Sequence, residues 1–117
     1  MKTENLIADL SFDFALDIVR LYKQLVEQRE FVLSKQLLKS GTSIGANVEE
    51  ATAAQTKKDF IAKMSISSKE ARETKYWIRL LATSKLVDLD YDPYIKTINH
   101  IINIITKIII SSQRNSR

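Results

Sequence analysis

The sequence has no cysteine, one proline, one histidine, one tryptophan and only two glycines in 117 residues. Without cysteine there is no disulfide framework, thiolate metal site or thiol nucleophile, which suits a reducing compartment. The start, MKTENLIADLSFDF, carries acids where an export signal needs an apolar run, so a cytoplasmic protein is expected. Long apolar runs are missing too. The isoleucine-rich stretch near the end is broken by Lys96, Asn99, His100, Asn103 and Lys107, so no segment reads as a bilayer span and no membrane partner is expected. A chain of this length makes one domain with one core.

Strand alternation is almost absent, and apolar residues instead recur at spacings of three and four. The pattern predicts an all-α protein, an antiparallel up-down-up-down four-helix bundle, with helices at about 11–29, 32–54, 57–84 and 93–112 between short flexible termini. Ser11 reads as the N-cap of the first helix, whose stripe is Phe14, Ile18, Leu21 and Leu25. The second helix carries Leu33, Leu37, Ile44, Val48 and Ala51 inward. Thr56 with Asp59 resembles a capping box opening the third, whose seam is Phe60, Met64, Ser67, Ala71, Thr74, Ile78 and Leu81. Asp92 reads as the cap of the fourth, with Pro93 in its first position.

Both glycines fall in KSGTSIGANVEEA, inside the second helix, where each costs about 1 kcal/mol against alanine. Folding the second helix back on the third around Gln55 brings Gly41 near Ala71 and Gly45 near Ser67, so close helix approach is the expected reason for both. A phosphate-binding loop is excluded, because no strand precedes the glycines and no Gly-Lys-Ser/Thr follows them.

The segments SFDFALDIVRLYKQL, FVLSKQLLKSGTSIGANVEEATAAQTKKDFIAKM and SKEARETKYWIRLL together resemble bacterial four-helix bundle proteins first noticed as reading frames within intervening sequences of 23S rRNA genes. The most specific part is the run Ser43 to Val48 with Glu50 just beyond, then Glu73 in RETKYW; Ala51 departs from the glycine that many relatives carry there. The resemblance implies a closed bundle, ring-shaped homo-oligomers that are commonly pentameric, and no established enzymatic activity. Some relatives are nucleic-acid-binding accessory subunits of reverse transcriptases in diversity-generating retroelements, which makes a reverse transcriptase or other larger enzyme a candidate partner.

Apart from any family, the fourth helix argues for association. Ile95, Ile98, Ile102, Ile105 and Ile109 make one seam, and Ile101, Ile104 and Ile108 lie beside it as a second stripe. The isoleucines cover roughly 180° of the helix against the roughly 100° that one seam needs, so the second stripe is expected at a subunit interface; the alternative is a wide stripe buried within one monomer. On the third helix, Asp59, Glu70 and Glu73 share a flank with Trp77, a candidate interface anchor, while Lys57, Lys69, Arg72, Lys75 and Arg79 take the other flank and back. Such polarity suits head-to-tail contacts, and equally suits a helix that solubilises itself by local pairs such as Asp59 with Lys63.

Eighteen basic residues against 14 acidic give +4, unevenly spread: residues 1–34 hold four basic and six acidic, residues 35–85 ten basic and five acidic. Within that basic stretch Lys58, Lys69, Arg72, Tyr76 and Arg79 fall on one solvent-facing arc of the third helix. Cations bind phosphates and a tyrosine can stack a base, so the arc is the candidate site for RNA or DNA, with Lys35 and Lys39 on the second helix extending it; a plain solvated helix face explains the same residues. An enzyme reading finds less. His100 sits among Asn99, Asn103, Lys96 and Lys107, with Thr97 where a di-metal bundle needs glutamate and no arginine in the preceding turns. Glu70 and Glu73 lack a third ligand, and the adjacent Glu49 and Glu50 point apart. No catalytic residue, metal site or cofactor is expected.

Overall fold

Ile7, Phe14, Ile18, Leu21 and Leu25 lie on one face at helical spacing, and in the computed structural model, which describes residues 2–114, they are the buried face of helix α1, Lys2–Glu27. The helix therefore begins well before the expected cap. Ser11 is an interior residue, fully buried, whose hydroxyl donates to the Ala8 carbonyl at 3.2 Å. Ile7 continues the apolar stripe one repeat upstream, and Ser11 is the small residue on that stripe where another helix passes close. Met1 and residues 115–117, expected in flexible termini, lie outside the described residues.

Helix α2 spans Leu33–Thr52, α3 spans Lys57–Ser84 and α4 spans Asp92–Arg114. Thr56 caps α3 as expected, its hydroxyl oxygen accepting from the Asp59 N–H at 3.0 Å. The α3 seam from Met64 through Ser67, Ala71, Thr74 and Ile78 to Leu81 is buried, with Phe60 packed at its edge. Two ends differ from expectation. Asp92 belongs to α4 itself; the Tyr91 carbonyl takes the N–H groups of Tyr94 and Ile95, and the Asp90 carboxylate accepts from the Asp92 N–H. The start of α2 is capped by Glu30, whose carboxylate accepts from the N–H groups of Val32, Leu33 and Ser34, the last at 2.6 Å.

The helices pack as α1 on α2, α2 on α3, α3 on α4 and α4 on α1, and among the described residues the diagonal pairs show no close backbone approach. This is a four-cornered antiparallel bundle about 50 Å long and 21 Å across. The α1–α2 turn and the α3–α4 loop meet at one end, where burial first, then the charges of Glu30 and Asp88, push the Tyr91 phenol above its ordinary range. Its hydroxyl donates to the Val87 carbonyl at 2.8 Å and holds that loop.

The glycines answer to a different neighbour from the expected one. A Cβ at Gly41 would lie 2.9 Å from Ile18 Cγ2, and one at Gly45 would lie 3.4 Å from the Ser11 backbone, so both face α1. The register of α2 against α3 is close to the expected one, but its contacts come from the residues one position earlier. Ser67 donates to the Ile44 carbonyl at 2.9 Å, and Thr74 Oγ1 lies 2.9 Å from Ser40 Oγ. One residue is about 100° of turn, enough to carry the glycines from the α3 side of α2 to the α1 side.

Candidate nucleic-acid interface

The outer face of α3 exists because its inner face is a complete apolar seam: burying positions 64, 67, 71, 74, 78 and 81 leaves positions half a turn away in water. Lys58, Lys69, Arg72, Tyr76 and Arg79 are all exposed there. Among the described residues none of these four cations is held in an ion pair, whereas Lys63 on the inner flank reaches Glu50 of α2 at 3.2 Å. Tyr76 is 55% exposed and meets Trp77 in a T-shaped contact, ring centroids 5.1 Å apart at 74°. Tyr76, Arg79, Leu80 and Thr83 line a shallow cleft of about 210 Å³. The arrangement can take a phosphate on the cations and a flat ring on Tyr76.

Lys35 and Lys39 are exposed on α2 but stand apart from this arc. The α3 flank turned towards α2 is the one that carries Lys63, Glu70, Glu73 and Trp77, so acids separate the two groups of cations. Trp77 is half-buried against the bundle's own core, and its Nε1 is buried without a hydrogen-bond partner among the described residues. It therefore offers an edge, not an exposed anchor.

The isoleucine stripe of α4 divides differently from expectation. Ile101 is fully buried and Ile108 nearly so, together with Ile98 and Ile105, and Ile104 is half-buried against them. Ile101 and Ile108 thus belong to the monomer core. Ile95, Ile102 and Ile109 flank that core partly buried, and Ile110 alone among the α4 isoleucines is exposed. Two neighbouring helices consume the broad stripe, because α4 packs against both α3 and α1. The exposed apolar surface that sequence reasoning missed is on α1, where Phe12, Leu16 and Val19 face outward. Its signal was present as a second period at spacings of four and three.

No group of three or more His, Cys, Asp or Glu side chains that could hold a metal occurs among the described residues, and no helix there is long and apolar enough to cross a membrane. A concavity of about 550 Å³ around the α2–α3 turn is lined by Glu50, Ala53, Ala54, Gln55, Thr56, Asp59 and Lys63. It has no histidine and no nucleophile held by a base.

Residues 3–107 match the family described as 23S rRNA-intervening sequence protein. The chain belongs to that family. It is also similar to the crystal structure of a protein of unknown function from the S23 ribosomal protein family of Bacteroides thetaiotaomicron VPI-5482, at 47% identity and a TM-score of 0.87, over 92% of this chain and 97% of that one. No curated protein matches it. For a member of the 23S rRNA-intervening sequence family, as for any fold, particular residues and not the fold decide function.

Proposed function

We propose that this protein is a non-enzymatic, cytoplasmic, ring-forming bundle that binds RNA or DNA through the outer face of α3, as an accessory to a larger nucleic-acid enzyme such as a reverse transcriptase. The observation that carries the reading is the basic arc without ion pairs among the described residues: Lys58, Lys69, Arg72 and Arg79 around the exposed Tyr76. Cations already neutralised by local carboxylates would have little to offer a phosphate, whereas these gain by releasing the polymer's counterions. Repetition of the arc around a homo-oligomer, with five copies favoured by the family resemblance, would multiply weak contacts.

A second reading, a structural oligomer that scaffolds a protein partner, is favoured by Phe31, Val32 and Leu86, exposed by 58%, 71% and 60% at the end where the α1–α2 turn meets the α3–α4 loop. Gel retention separates the two. Reversing Lys69, Arg72 and Arg79 together to glutamate is expected to abolish retention of single-stranded RNA or DNA at low salt while leaving the helical circular-dichroism signal intact. Unchanged retention removes the arc as the site.

A further inference from the structure

Phe12, Leu16, Val19 and Lys23 recur at spacings of four and three along the outside of α1, with the three apolar residues 57%, 40% and 47% exposed. Beside them α2 is small-sided. Phe12, Ala15, Thr42, Gly45, Ala46 and Glu49 line an open groove of about 400 Å³. An apolar strip of this kind on a monomer usually marks an interface.

The same period appears on a second face. Lys63, Ile66, Glu70, Glu73, Trp77 and Leu80 run along the α3 flank next to α2, with Ile66 and Leu80 exposed by 43% and 36%. The two strips match in height along the bundle. Ser11 against Gly45 and Ser67 against Ile44 fix one level, which puts Phe12 and Ile66 side by side in height. Ile18 against Gly41 and Thr74 near Ser40 fix another, which does the same for Val19 and Glu73, with Lys23 and Trp77 one turn beyond. At the opposite end Glu49 is level with Lys63, the partner of Glu50. One strip therefore reads acid (Glu49), apolar (Phe12, Leu16, Val19), base (Lys23), and the other base (Lys63), apolar (Ile66), acid (Glu70, Glu73), apolar (Trp77, Leu80).

We propose that the α1–α2 face around Phe12, Leu16, Val19 and Lys23 docks head to tail on the α3 flank around Ile66, Glu73 and Leu80 of a second copy of this chain. The contact rests on the ring reading above and gives it a surface. Rotation about an axis parallel to the bundle keeps heights equal, so Phe12 meets Ile66 beside the groove, and Lys23, one turn beyond Glu73, has a side chain long enough to reach back to it. The two faces share the α2 edge of a four-cornered bundle, so their normals are about 90° apart, and repeating such a contact closes a ring of about four or five copies, whereas opposite faces would build a filament. The basic arc continues round the back of α3 from this flank, its cleft bordering the contact at Leu80.

The absence of cysteine makes a clean test. The double variant Phe12→Cys with Ile66→Cys, oxidised as the assembled protein, is expected to give a covalent ladder beyond the dimer on a denaturing gel, and each single variant none. Light-scattering mass provides the second arm: Lys23→Glu and Glu73→Lys are each expected to reduce the assembly, and their combination to restore it. A wild-type monomer overturns the ring reading itself. A wild-type oligomer that gives covalent dimers with Phe12→Cys alone, or shows no ladder and no charge-swap rescue, overturns this surface and leaves the ring.

Discussion

Gly41 of α2 lies directly against Ile18 of α1, so close that a Cβ at position 41 would stand 2.9 Å from Ile18 Cγ2 and 3.3 Å from its Cβ. A branched core side chain has little room to move, since its stem as well as its tips is in the way. This contact sets the distance between the first two helices and explains a costly residue in mid-helix.

The two glycines should consequently respond differently to alanine. Gly41→Ala gains about 1 kcal/mol of helix propensity and loses about 1 to 3 kcal/mol to overpacking, so its melting temperature should fall. Gly45→Ala meets the Ser11 backbone at ordinary contact distance, 3.4 Å, and should be neutral or stabilising. Gly45→Leu must push α1 away and should cost about 1 to 3 kcal/mol or more. Thermal unfolding of the three variants checks the order, and a Gly45→Leu protein that melts like the parent would contradict close approach.

Much of this fold is legible in the sequence. The α3 helix reads correctly at both ends because Thr56 supplies an ordinary cap and the heptad seam runs unbroken to Leu81. The start of α1 does not, since Ser11 has the composition of a cap and the position of a packing residue. Glu30 was invisible for a related reason: a long carboxylate that folds back over the next three N–H groups has no fixed place in the usual cap pattern. On α4 the period is clear, but a stripe spread over half a helix does not say which part faces inward. Only the two neighbouring helices decide that Ile101 and Ile108 are core. The basic arc was legible as a set of positions; its freedom from ion pairs was not.

Ile101 and Ile108 should behave as core residues. Ile101→Ala is expected to cost about 2 to 5 kcal/mol, and the combined Ile101→Lys, Ile104→Glu, Ile108→Lys protein should fail to fold instead of yielding a folded smaller species. Circular dichroism and urea unfolding distinguish these outcomes. A cooperative, helical triple variant would contradict the assignment.

Acid should loosen the start of α2. Burial alone would raise the Glu30 carboxyl, but the backbone N–H groups of Ser34, Leu33 and Val32 outweigh it and hold the carboxyl below its ordinary value of 4.5. A group depressed on folding stabilises the protein above its unfolded pKa, and that stability is lost as pH falls through the folded one. Glu30→Gln, which keeps one acceptor and loses the charge, should destabilise by about 1 kcal/mol at pH 7, with the gap to wild type closing in acid below 4.5. Urea midpoints of both proteins from neutral to acid pH check this; a constant gap would mean that the cap acts without its charge.

The most direct measurement for the functional account is the salt dependence of binding to a fluorescently labelled single-stranded RNA or DNA oligonucleotide, followed by anisotropy. A linear fall of log K with log salt is expected, at about −0.7 per phosphate neutralised, with a slope that shrinks as Lys69, Arg72 and Arg79 are replaced one at a time. Binding that is absent at low salt, or present with a slope indifferent to those three residues, would contradict it.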